Sequence, residues 1–264
     1  MFPIDIDFSR LKEVLTYDPQ APMIFSSGIF LWLFAAFMVV YVLLQRKYTA
    51  RIMFVTLFSY YFYYKSSGTY FFLLAIVTVA DFFLAQLMDR VEGYWKRKGL
   101  VALSLGVNLG LLAYFKYTNF LGGVIASLMG GEFTALDIFL PVGISFFTFQ
   151  GMSYVLDVYR GDAPAQRNPL HVALYIALFP QLVAGPIVQY ADVDAQLQQR
   201  NMSWNKFGIG VRYFVAGLSK KVLLANNLGM MYQELTGLSS LSVLSAWLGV
   251  LAYTLQIYFD FSGY

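Results

Sequence analysis

Apolar residues in this chain come in long runs, each closed by a basic or glycine-containing break. Ile24 to Leu44 is 21 residues without a charge, enough to cross about 30 Å of hydrocarbon at ~1.5 Å per residue. Ile52 to Tyr64 is apolar and aromatic but only 13 residues long, about 20 Å if helical. It either ends in the headgroups or forms one limb of a helical hairpin turning through Lys65–Gly68. Thr69 to Met88 is long enough to cross and holds Asp81 in its middle. Gly99 to Met129 exceeds one span and is broken by Asn108, Lys116 and Asn119, which predicts a crossing followed by a bent or interfacial extension. Leu140 to Tyr159 crosses again. Beyond Tyr190 the pattern weakens: 191–205 is polar, 206–229 is a mixed helix-like stretch, and 241–261 is apolar once more.

Between Leu140 and Tyr190 the apolar runs carry residues that hydrocarbon does not tolerate alone. Gln150 and Asp157 interrupt the first run; Pro180, Gln181, Gly185 and Pro186 interrupt the second. Proline removes a backbone donor and clashes with the preceding turn. Freed backbone groups persist in a membrane only where protein or a water-filled cavity satisfies them. The expectation is a turn within Phe179–Ile187 that borders a polar path, the alternative being an ordinary kinked helix. The fold class is all-α: a polytopic transmembrane bundle with a re-entrant or broken helix lining a funnel. Residues 1–23 form an extracytoplasmic or interfacial segment and 24–264 the transmembrane domain.

Charge then orders the crossings. Loops 45–51, 89–98 and 160–169 are basic and alternate correctly with the spans, which places all three in the cytoplasm. The acidic N-terminus and the Gly130–Asp137 loop fall outside. Asp5, Asp7, Arg10, Lys12 and Glu13 precede any long apolar run, the reverse of a signal peptide's basic start. Phe8, Leu11, Val14 and Leu15 share one helical face, so residues 1–22 are either a short interfacial helix or a polar extension.

Composition agrees. Hydrophobic residues are 59% and charged residues 12% of the 264, against about 25% charged in soluble domains. The net charge of +3 is small and spread over loops, so nucleic acid is not an expected partner and membrane lipid is. Cysteine is absent and there is one histidine, which removes disulfides, thiolate nucleophiles and multi-histidine metal sites.

Individual polar residues each have a bland and a functional reading. Asp81 and Asp157 either tether helices or line a path. Gln150 either bonds a neighbouring helix or faces the path. His171 follows the basic loop and suits a headgroup position better than a catalytic one. Lys220 and Lys221 suit snorkelling, and no phosphate-cradling glycine loop accompanies them.

Three blocks, PVGISFFTFQGMSYVLDVYRG (141–161), FPQLVAGPI (179–187) and LAYTLQIYFDFSGY (251–264), together resemble the membrane-bound O-acyltransferase family, nearest its bacterial alginate O-acetylation branch. The likeness runs from about Ser26 to Tyr264. It implies an enzyme that moves an acyl group, acetyl in this branch, from a cytoplasmic thioester such as acetyl-CoA. The acceptor would be an extracytoplasmic hydroxyl on an alginate-like polysaccharide or a periplasmic acceptor protein, at the bacterial inner membrane. It also implies that the family's catalytic histidine follows the FDFSGY block. No catalytic residue is then expected in this chain, which is expected to be inactive alone and to supply scaffold and part of a tunnel. The residues expected to line or support that tunnel are Gln150, Pro180, Gln181, Gly185, Pro186 and Asp260, with no metal and no bound cofactor. The alternatives are a D-alanyl-transferring relative acting on teichoic acid and a non-enzymatic scaffold or transporter-like membrane protein.

Overall fold

The structure, a computed structural model, describes residues 15–20, 22–182, 188–193, 203–238, 240 and 242–263. Every regular element among them is helical. In order they are α1 (Gly28–Leu43), α2 (Tyr48–Ser67), α3 (Phe71–Arg90), α4 (Tyr94–Leu112), α5 (Thr118–Leu128), α6 (Ile144–Arg160), α7 (Pro169–Ala177), α8 (Phe179–Leu182), α9 (Trp204–Ser219), α10 (Asn226–Thr236) and α11 (Val243–Gly263). Three helical stretches among the described residues, Tyr48–Arg90, Tyr94–Leu128 and Val243–Gly263, are long and apolar enough to cross a membrane. The chain divides into two compact units, one of Met1–Ile24 with Trp32–Gln198 and one of Phe25–Leu31 with Gln199–Tyr264.

In the first unit, α2 and α3 resolve the choice left open by the short run at 52–64. Tyr48–Arg51 and Lys65–Ser67 join the helix, so α2 has 20 residues rather than 13. It ends at Gly68, whose φ of +61° suits glycine. A Cβ there would also lie 2.7 Å from the Tyr17 ring. The chain folds back, and Tyr60 on α2 reaches Thr78 on α3 at 3.5 Å, which makes the pair a helical hairpin.

The faces of α3 separate cleanly. Phe72, Ile76, Val79, Phe83 and Leu87 are exposed, while Leu74, Val77, Asp81, Phe82, Ala85 and Met88 are buried. The first set forms one helical stripe suited to lipid, and the second packs on α6. The long run at 99–129 is interrupted by a π-helical segment at Ala113–Tyr117 between α4 and α5. Such segments insert a residue into the helical ladder and redirect the axis. α6 packs on α3 and α4, and α7 packs on α2 and α3.

Hydrogen bonds fix which loops share an end of this unit. Arg97 donates to the carbonyls of Val158 and Tyr159 at the end of α6. Gln86 donates to Gln166 O at 3.0 Å, and Tyr48 meets His171. These contacts gather the three basic loops. At the opposite end Met23 N donates to Lys65 O at 3.1 Å, Val142 N donates to Ser67 Oγ at 3.0 Å, and Asn119 clamps both backbone groups of Leu136 at 2.9 Å.

In the second unit α11 packs on α9 and α10. Gly217 and Gly263 let backbones nearly touch: a Cβ on Gly217 would lie 2.2 Å from Gly263 O. Such small-residue contacts characterise helix pairs in lipid.

Candidate functional site

The helix broken near Pro180 is built so that two of the groups it frees take side-chain partners. A continuous helix would bond Phe179 N–H to the carbonyl of Tyr175, four residues earlier. Pro180 has no N–H to continue the ladder, and its ring crowds the carbonyl of Ile176. The chain therefore leaves helical geometry at Leu178, with φ −57° and ψ 111°. The freed Phe179 N–H donates to Ser59 Oγ on α2 at 3.3 Å. The freed Tyr175 carbonyl accepts from Gln181 Nε2 at 2.6 Å. Leu178 O starts the new turn by accepting from Gln181 and Leu182 N–H, both at 3.1 Å.

Phe179 pins this break mechanically. Its ring is buried, with the rings of Phe58, Phe37, Phe62 and Phe34 centred 5.2, 5.5, 5.8 and 6.2 Å away. The chain beyond is tied back as well. Tyr175 Oη donates to Val188 O at 2.6 Å, Ala191 N donates to Asp157 Oδ2 at 3.3 Å, and Tyr190 sits edge-on between Tyr154 and Tyr175.

Gln150, Tyr154 and Asp157 lie at helical spacings of four and three on α6 and so share its face. Tyr154 and Asp157 meet the segment after the break. Gln150 is one turn further along that face, fully buried, and its side-chain carbonyl has no hydrogen-bond partner among the described residues. Of the residues expected to line a path, Gln150 and Gln181 belong to packed elements, α6 and α8, while the Pro180 ring is exposed. Gly185 and Pro186 lie outside the described residues, as do residues 1–14 of the N-terminal segment. The turn begins at Leu178, one residue before the stretch the prolines indicated.

Asp81 is a tether. It is 1% exposed and accepts from Ser104 Oγ at 2.7 Å and from Asn108 Nδ2 at 3.0 Å. Ser104 and Asn108 stand one turn apart on α4. Gly151 on α6 closes the cluster, since a Cβ there would lie 2.1 Å from Asp81 Oδ2.

In the second unit Asp260 pairs with Lys221, and Lys220 Nζ donates to Ser262 O at 3.0 Å. These lysines hold the end of α11 rather than reaching away from the protein, a placement favoured by the negative end of a helix. His171 lies at the end of the unit that carries the basic loops. It is buried, with Nε2 3.0 Å from Tyr48 Oη.

Sequence reasoning missed Ser59, Tyr175 and Gly151. The i, i+4 pair Ser104 and Asn108 was a usable signal for a polar helix face. Ser59 gave none, because a serine 120 positions away carries no mark of the amide it caps.

Residues 163–264 match the model of MBOAT, the membrane-bound O-acyltransferase family. The probable alginate O-acetylase of Azotobacter vinelandii is 39% identical over 92% of this chain and 49% of its own length. That of Pseudomonas aeruginosa is 39% identical over 92% of this chain and 47% of its own. The peptidoglycan O-acetyltransferase of Helicobacter pylori is 33% identical over 70% and 41%. The chain spans about half the length of the curated relatives it matches.

Proposed function

We propose, from a chain whose residues 163–264 belong to the membrane-bound O-acyltransferase family, that this protein is a membrane enzyme moving an acetyl group from a cytoplasmic thioester to a hydroxyl. The acceptor is an extracytoplasmic, alginate-like polysaccharide, and the site is the bacterial inner membrane. In the net reaction the hydroxyl oxygen bonds to the acyl carbon, the carbon–sulfur bond breaks, and the hydroxyl proton ends on the departing sulfur. This chain supplies scaffold and one wall of the path along which donor and acceptor meet.

The observation that supports this reading is the break at Leu178, where Ser59 and Gln181 replace helical hydrogen bonds. Non-helical backbone at membrane depth is kept where it borders a cavity or protein, and it carries function there. The open carbonyl of Gln150 offers a hydroxyl or an amide a hydrogen-bond acceptor on the same side of α6.

The test uses inverted inner-membrane vesicles given acetyl-labelled acetyl-CoA, together with measurement of ester-linked acetate on the exported polysaccharide. Deleting the gene should remove both signals, and Gln150→Leu should reduce transfer while the protein level holds. Unchanged acetylation in the deletion strain would sink the assignment. Transfer of a different acyl group from a carrier protein would move it to the D-alanyl-transferring relatives.

A further inference from the structure

At the basic end of the first unit lies a buried guanidinium without an anion. Arg51, on the first turn of α2, is 7% exposed. Its guanidinium lies 5.9 Å from the ring centres of both Tyr41 and Tyr48. Its hydrogen bonding is thin: Nη1 reaches Gln45 O at 3.5 Å, and no carboxylate pairs with it among the described residues. An arginine has five N–H donors in a planar fork, and a charge taken from water without a counter-charge is costly.

A second unspent group stands beside the same tyrosine. Tyr48 Oη meets His171 Nε2 at 3.0 Å. His171 Nδ1 is buried with no hydrogen-bond partner among the described residues. When the tyrosine hydroxyl donates to Nε2, the neutral ring carries its proton on Nδ1, which is then a donor with nothing to receive it. Arg46 and Lys47 are exposed in the turn just before α2 and add positive potential at its mouth.

We propose that Arg51, Tyr48 and His171 form a phosphate-binding site. The fork of Arg51 matches two phosphate oxygens, and the Nδ1–H of His171 supplies a further donor. Phosphate is the anion that fits the location, because this end of the bundle carries the basic loops, the side that lipid headgroups and soluble phosphates reach. The inference does not depend on acyl transfer and stands if that assignment fails.

The experiment follows the His171 imidazole by ¹⁵N NMR in the full protein, held in nanodiscs, at fixed pH. The resonance is identified as the one missing from His171→Ala. One arm uses discs of a phosphate-free glycolipid titrated with inorganic phosphate and then with coenzyme A. The other replaces the glycolipid with phosphatidylglycerol and adds no soluble phosphate. A saturable shift of Nδ1 in the first arm identifies a soluble phosphate, and a shift only in the second identifies a lipid headgroup. Arg51→Gln should weaken the response at least tenfold. Arg51→Lys keeps the charge without the fork and should weaken it several-fold, and it carries the test if Arg51→Gln does not fold. No shift with any source, or equal affinity in Arg51→Lys and the parent, would overturn the proposal.

Discussion

Gly151 has little room for change. Its Cα faces the Asp81 carboxylate so closely that a methyl group would occupy the position of Oδ2. Gly151→Ala must therefore push Asp81 away from Ser104 and Asn108 or separate α6 from α3. Overpacking of this kind costs about 1–3 kcal/mol, and the effect should appear as lower thermal stability in detergent. The same substitution made with Asp81→Ala should cost much less, because the clash is gone. Equal penalties in the two backgrounds would show that the residues do not interact.

At the scale of elements, the broken helix and the glycine contact make separate demands. Gln181→Leu leaves the Tyr175 carbonyl without its donor, and Ser59→Ala leaves the Phe179 N–H without its acceptor. A buried polar group left unpaired costs about 1–3 kcal/mol. Both variants should lose stability, and amide exchange at Phe179 should quicken in Ser59→Ala. Protection at Phe179 identical to the parent would mean that Ser59 does not cap it. In the second unit, Gly217→Ala meets backbone rather than a yielding side chain, so α9 and α11 must part. Its loss of stability should exceed that of Gly210→Ala, where a Cβ meets open space; a reversed order would refute the close contact.

For the whole molecule, the hydrogen bonds that gather loops 45–51, 89–98 and 160–169 do what a charge-ordered topology requires. They place the basic loops at one end of the first unit, and the positive-inside rule assigns that end to the cytoplasm. The chain has no cysteine, so single cysteines at the exposed positions Gln45, Tyr94, Pro164 and Asp137 report cleanly. The first three should resist an impermeant thiol reagent on intact cells, and Asp137→Cys should react. Labelling that splits the first three between the two sides would contradict the fold itself. Labelling of all three from outside would reverse the orientation.

The sequence by itself determined the class of the molecule and the neighbourhood of its breaks. Run length and charge act locally, so Thr69–Met88, the break after Gly99 and the interruption near Pro180 were legible from adjacent residues. It also exposed Asp81 and Gln150 as polar groups that hydrocarbon alone would not tolerate. Only the tertiary structure decided how each was treated. Asp81 is satisfied by two residues of α4 and closed over by a glycine of α6, the side-chain carbonyl of Gln150 has no partner among the described residues, and His171 is buried against Tyr48. The reason is that periodicity says which face of a helix turns inward but not which helix it meets. In a membrane, hydrophobicity hardly distinguishes one neighbouring helix from another, so partners are chosen by close packing and by the few hydrogen bonds that can be completed.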